Sequence, residues 1–136
     1  MERNIVGVVL ASFFVLSTIL YGVLGEDSFV FHVDSKEDLK EAITTTDSLI
    51  ENNNLNFHRA ELIVCGEVTR SLIDDIDTMN MLKSVDKEHV QVTVCEASLE
   101  KLNINPDELP LEIKVVESPE RRISVLKQLG FVTIDL

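Results

Sequence analysis

The sequence has 136 residues and a net charge of −12, with 24 acidic and 12 basic side chains. Such a surface repels phosphate backbones and no basic cluster offsets it, so we expect no nucleic-acid partner. The sequence contains neither GxGxxG nor GxxxxGK[ST], and its cysteines and histidines lack the spacing of a zinc site. We therefore expect no nucleotide cofactor and no bound metal.

The first element along the chain is an uncharged, apolar N-terminal run. Residues 5–24 (IVGVVLASFFVLSTILYGVL) are numerous enough to cross a bilayer as a helix. The run is also longer than the apolar core of a typical signal peptide, although Gly25 is compatible with cleavage after it. Residues 1–25 are therefore either a membrane anchor or a signal peptide. Either interpretation places residues 26–136 outside the cytoplasm, anchored at the membrane or secreted.

Residues 26–136 form one predicted domain in which short apolar strands alternate with amphipathic helices. Alternating β-branched and aromatic residues predict five strands, at 29–33, 60–65, 90–95, 111–116 and 131–134. Apolar residues at helical spacing predict helices over 39–50, 68–82, 97–102 and 119–129, the second broken near Asp74 and Asp75. Asp34 or Ser35 is suited to cap the first helix, and Ser118 the last.

This alternation is typical of an α/β fold with a mostly parallel five-stranded sheet covered by helices on both faces, here preceded by the N-terminal hydrophobic helix. In such sheets ligands and reactive groups gather at the carboxyl ends of the strands. The rule selects four segments, 33–35, 65–67, 95–98 and 117–118.

Cys65 and Cys95 each end a predicted strand, and these strands are consecutive. If the strands are neighbours, the two Cα atoms are about 5 Å apart, within reach of a disulfide. Three interpretations remain open: two buried small hydrophobic residues, a structural or redox-active disulfide, or a reactive Cys95 thiol. His32, near the end of the first strand, is a candidate to approach Cys95 in space.

Three segments resemble the DsrE/DsrF-like sulfur-relay family. The clearest is VTVCEASLEKLNINPDELPLEIKVVES (92–118), with a strand ending in cysteine, a short helix, an Ile-x-Pro-x-Glu-Leu loop and a strand. The opening FVFHVDSKEDLKEAITTTDSLIENN and the closing VLKQLGFVTIDL are also similar to the family's ends. The resemblance covers about 29–136, nearly all of the predicted domain.

The resemblance implies a three-layer α/β/α sandwich and a homo-oligomer, commonly a trimer or hexamer. It also implies that Cys95, at the position matching the family's cysteine, carries sulfane sulfur as a persulfide for a donor or acceptor protein. Ser98 and the first N–H groups of its helix are candidates to steady an anionic sulfur. The alternatives are a non-catalytic oligomeric binding module with a buried Cys95, and a thiol redox protein that uses Cys65 with Cys95.

Overall fold

The structure is a computed structural model that describes residues 27–52 and 56–136. The predicted signal peptide or membrane anchor at residues 1–25 lies outside this part. The elements in chain order are β1 (Asp27–Val33), α1 (Lys36–Asn52), β2 (Phe57–Val64), α2 (Val68–Asp74), α3 (Ile76–Lys83), β3 (Val90–Cys95), α4 (Glu96–Lys101), a 3₁₀ turn (Pro106–Glu108), β4 (Lys114–Val116), α5 (Pro119–Gln128) and β5 (Phe131–Ile134).

The five strands form one sheet in the order β4-β3-β2-β1-β5, and every pair of neighbours is parallel. The prediction of an α/β fold on a five-stranded parallel sheet is thus confirmed. The carboxyl-terminal halves of the central strands β1, β2 and β3 are mainly apolar, because a parallel strand covered on both faces has little solvent-facing surface to carry polar residues.

The strand order explains how the helices divide between the two faces. From β1 the chain steps through β2 and β3 to β4 in one direction, and then crosses back over the sheet to β5. Right-handed crossovers place the helices of the first three steps on one face and the helix of the reversed step on the other. Accordingly α1, α2 and α4 contribute to one core, and α5 alone contributes to the other.

The larger core lies between α1–α4 and one face of the sheet. It contains inward-facing residues of every central strand, including Phe31, Leu62 and Val94, together with Leu39 and Leu72 from the helices. All five side chains are fully buried.

The smaller core lies under α5 on the opposite face. Its buried members are Val30, Ile63, Cys65, Cys95 and Leu126. Because strand residues two apart point to the same face, Glu61 and Thr93 also lie on this side of the sheet, and both are almost completely buried.

Capping side chains set several helix boundaries. The Ser35 hydroxyl accepts a hydrogen bond from the Asp38 N–H, so Ser35 rather than Asp34 caps α1. Asp75 ends α2 in an extended conformation and accepts from the Thr78 N–H at 3.1 Å, which starts α3. The predicted break near Asp74 and Asp75 is therefore confirmed. Hydrogen bonds from Thr78 are also the main reason that the pKa of Asp75 is lowered.

Four predicted strand boundaries were wrong. β1 begins at Asp27 rather than at residue 29, and β2 ends at Val64 rather than at Cys65. β2 also begins at Phe57, three residues earlier than expected, because its ladder to β1 continues through Arg59 and, past an irregularity at His58, to Phe57. β4 begins at Lys114 rather than at residue 111, because residues 111–113 lie outside the ladder to β3. The edge of β3 beside residues 111–113 is thus left without a strand partner.

No helix in residues 27–52 and 56–136 combines the length and the apolar character that crossing a bilayer requires.

Ser118 caps α5, and its replacement should destabilise the domain. Its hydroxyl accepts the Arg121 N–H at 3.2 Å, and Pro119 occupies the first helical position. We expect Ser118→Ala to lower the free energy of unfolding by about 1 kcal/mol, measured by urea denaturation. Ser84→Ala is the control, because the exposed Ser84 hydroxyl only donates to the Met81 carbonyl at the end of α3. Equal losses in the two variants would contradict the capping role.

Candidate functional site

The candidate site lies at the carboxyl edge of the sheet, where β2 and β3 end. Cys95 is the last residue of β3, and Cys65 directly follows β2, with its N–H donating to the Val33 carbonyl at 2.9 Å. The two cysteines form a disulfide with Cα atoms 5.5 Å apart, close to the spacing expected for adjacent strands. Of the three interpretations open from the sequence, the structure therefore contains the disulfide.

The site also coincides with a topological switch point. The helix that follows β3 lies on one face of the sheet, whereas the helix that follows the neighbouring β4 lies on the other. Such a divergence opens a crevice at the carboxyl ends of the two strands. Cys95 pairs in register with Val116, so one cysteine of the disulfide ends a strand at this divergence.

The disulfide is covered by α5. Cys65 is 8% exposed and Cys95 is 2% exposed, and both pack with Ile63 and Leu126. A reagent must therefore reach the sulfurs either along the carboxyl edge, where Cys65 is the more accessible, or after α5 has moved. How firmly α5 is held therefore controls the second of these routes.

A buried ion pair fixes α5 to the sheet. Glu61, only 1% exposed, accepts hydrogen bonds from Arg122 Nε at 2.8 Å and Nη2 at 2.7 Å, and Thr93 Oγ1 lies 3.4 Å away. The hydrogen bonds that Arg122 donates to Glu61 are the main reason that the pKa of Arg122 is raised. This planar, two-point contact joins the middle of β2 to the first half of α5, the helix above the disulfide.

Ser98 lies near the disulfide but has a different partner from the one expected. Its Oγ accepts the Gly66 N–H at 2.9 Å, which joins α4 to the turn after β2. Gly66 has a φ of 77°, a left-handed conformation that other residues adopt only at a cost in free energy. The turn that this conformation makes fixes the direction of the Gly66 N–H. Ser98 therefore stabilises the two segments that carry the cysteines.

His32 lies on the same face as the cysteines, in register with Ile63. Its Nε2 is 3.4 Å from Asp34 Oδ1, and within the described residues this nitrogen has no hydrogen-bond partner. The structure thus brings Cys65, Cys95 and Ser98 together, whereas no hydrogen bond in residues 27–52 and 56–136 joins His32 to a sulfur.

The Glu61–Arg122 pair was missed by sequence reasoning. The available signal was an acidic residue inside the apolar stretch AELIVC, since a carboxylate in a central parallel strand must be paired with a cation or a hydrogen-bond donor. Sequence spacing could not identify Arg122, because the partners are 61 residues apart.

No protein-family model matches the sequence, and no curated protein matches it. Among solved structures, the fold is similar to that of MTH1491 from Methanobacterium thermoautotrophicum, described as a protein of unknown function. The TM-score is 0.70 at 20% sequence identity, and the match covers 81% of this chain and 99% of that one. At this identity the similarity establishes a shared α/β fold.

Proposed function

We propose that this domain is a sulfur-handling protein in which Cys65 and Cys95 form the reactive pair. The observation that carries the proposal is their disulfide at the switch point of a parallel sheet, where reactive groups of α/β proteins gather. The resemblance of residues 92–118 to the DsrE/DsrF-like family, with its three-layer α/β/α sandwich, supports the assignment of Cys95 as the sulfur carrier. Ser98 and Gly66 would keep the two cysteine-bearing segments in register during turnover.

In the proposed reaction the pair is first reduced to two thiols by an external thiol reductant. The Cys95 thiolate then attacks the outer sulfur of a persulfide donor, R–S–SH. The donor's S–S bond breaks, R–S⁻ leaves as a thiolate, and Cys95 becomes a persulfide. A thiolate on an acceptor protein completes transfer by attacking that outer sulfur, so that Cys95 leaves as a thiolate.

Cys65 would act as the resolving cysteine when no acceptor is present. Its thiolate attacks the inner sulfur of the persulfide, Cys95 Sγ, and forms the observed disulfide. The bond between Cys95 Sγ and the outer sulfur breaks, and that sulfur leaves as HS⁻. Adjacent strands hold the two Cα atoms 5.5 Å apart, so the attack requires little chain movement.

A sulfide-release assay tests this function. The reduced full chain, freed of reductant and mixed with an excess of a small persulfide donor, should release about one equivalent of sulfide and return to the disulfide form. Cys65→Ser should retain its sulfur and release little sulfide, whereas Cys95→Ser should neither load nor release. Sulfide release from Cys95→Ser at the wild-type level would overturn the assignment of Cys95.

The disulfide also favours a second candidate, a thiol redox protein that exchanges electrons without carrying sulfur. Under that function the pair would cycle between dithiol and disulfide with a thiol reductant, and no persulfide would form. Sulfide release therefore separates the two functions. A pair that remains oxidised under conditions that reduce thioredoxin-like disulfides would instead indicate the non-catalytic binding module.

We further propose that residues 5–24 deliver the domain out of the cytoplasm as an anchor or a signal, and that it forms a homo-oligomer, a trimer or hexamer. The long apolar run supports the first proposal. The second rests on the family resemblance, and it receives support from apolar side chains exposed on α5 and the C-terminal segment, notably Leu129 and Val132.

A further inference from the structure

A cavity of about 400 Å³ lies at the amino end of the sheet, away from the cysteines. Its walls come from α2, α3, the start of β3 and the segment before β4, and are mainly apolar: Leu72, Met79, Leu82, Val85, Val90, Val92, Pro110, Leu111 and Ile113. This volume is within the range that holds a small organic ligand. The cavity extends along β3 from Val90 to Val92, so it ends three residues, or roughly 10 Å at ~3.3 Å per residue, before Cys95. Val92 also belongs to the larger core, on the opposite face of the sheet from Cys95.

The cavity exists because β4 starts late. Residues 111–113 have the alternation of a strand, yet β3 pairs with β4 only from Thr93 onward. The Gln91 side chain occupies the gap, with Nε2 donating to the Glu112 carbonyl at 3.0 Å. Leu111 lines the cavity but is fully exposed, so it lies where the cavity opens to solvent. An apolar ligand would remove this leucine from water.

The charge around the cavity is opposite to that of the whole protein. The cavity is lined by three of the chain's 12 basic residues, Lys83, Lys87 and Lys114. The lining contains one acidic residue, Glu112. Lys87 Nζ is 3.1 Å from Glu112 Oε1 and neutralises that carboxylate. In the part of the chain that the structure describes, Lys83 and Lys114 have no carboxylate within ion-pair distance, which leaves two cations at the rim of an apolar chamber.

We infer that this cavity binds a free, medium-chain aliphatic carboxylate, with the chain in the apolar chamber and the carboxylate at Lys83 and Lys114. The apolar chamber would bury the aliphatic chain of such a ligand, and the two lysines would pair with its carboxylate. A neutral ligand would form no ion pair with the lysines, and a cationic ligand would be repelled by them. This inference is independent of the sulfur chemistry, because it involves no residue of the cysteine site.

Photoaffinity labelling of the full chain tests the inference. The probe is decanoic acid with a diazirine in its chain, and labelled residues are located by peptide mass spectrometry. We expect labels on residues 79–82 and 110–113, and competition by unlabelled decanoate but not by decanol. The double variant Lys83→Gln/Lys114→Gln should reduce labelling at these residues at least tenfold.

The matched control is Lys101→Gln/Lys127→Gln, which makes the same charge change at exposed lysines away from the cavity. This control should keep wild-type labelling. Equal labelling of both double variants, competition by decanol equal to that by decanoate, or labelling confined to residues 1–26 would each overturn the inference. Filling the chamber by Met79→Trp should also abolish labelling, and circular dichroism would confirm that each variant is folded.

Discussion

Arg122→Met should lower the free energy of unfolding by about 3 kcal/mol. Glu61 is 1% exposed, and its carboxylate would lose both hydrogen bonds from the guanidinium. Breaking a buried ion pair costs ~3–5 kcal/mol, and the low end applies because the Arg122 side chain is 36% exposed, so water can reach the vacated position. Only the 3.4 Å contact from Thr93 Oγ1 would remain, which is too long to compensate.

Urea denaturation measures this loss, with Arg121→Met as the matched control. Arg121 is the adjacent residue of α5, but it pairs with Glu117 at the surface, where ion pairs contribute at most ~1 kcal/mol. Replacing both buried partners, in Glu61→Leu/Arg122→Met, should recover part of the loss, since no uncompensated charge remains. Because α5 covers the disulfide, Arg122→Met should also speed reduction of the Cys65–Cys95 bond. Equal stabilities of the two methionine variants would contradict the role of the ion pair.

Reduction of the disulfide should destabilise the domain by about 3–4 kcal/mol. The bond joins residues 30 apart in sequence, and closing a loop of that size in the unfolded chain accounts for this magnitude at 25 °C. The native contacts of the two buried sulfurs would change little, because adjacent strands hold the cysteines in place.

Urea denaturation with and without a phosphine reductant measures this effect. The variant Cys65→Ala/Cys95→Ala is the control, and its stability should not respond to the reductant. An equal response of the wild type and the variant would show that the reductant acts elsewhere. If the stability of the wild type did not respond to the reductant, the disulfide would not restrict the conformational entropy of the unfolded chain as expected.

Much of the fold follows from local patterns in the sequence. β3 matches its predicted bounds because its six residues are largely apolar or β-branched and lie between the polar residues His89 and Glu96. The division of helices between the two faces depends on strand order and handedness, so it follows once β5 is placed beside β1. The late start of β4 could not be predicted, because the Gln91 side chain replaces strand pairing that the pattern of residues 111–113 favours.

The candidate site was predicted in part. If their strands are neighbours, the positions of Cys65 and Cys95 at strand ends predict Cα atoms about 5 Å apart; β2 and β3 are neighbours, and the distance is 5.5 Å. The partner of Ser98 was not predictable, because it depends on the turn at Gly66, 32 residues earlier. Long-range polar contacts, including Glu61–Arg122, arise from packing of α5 on the sheet and leave no periodic signal in the sequence.

The intact mass of the reduced full chain, before and after a sulfane-sulfur donor, tests the proposed sulfur chemistry most directly. In Cys65→Ser, which lacks the resolving cysteine, we expect a reductant-labile gain of one sulfur, about 32 Da, mapped to the peptide that contains Cys95. Cys95→Ser should show no gain. An unchanged mass in Cys65→Ser, with Cys95 unreactive to alkylation until the protein is unfolded, would contradict a sulfur-carrying role.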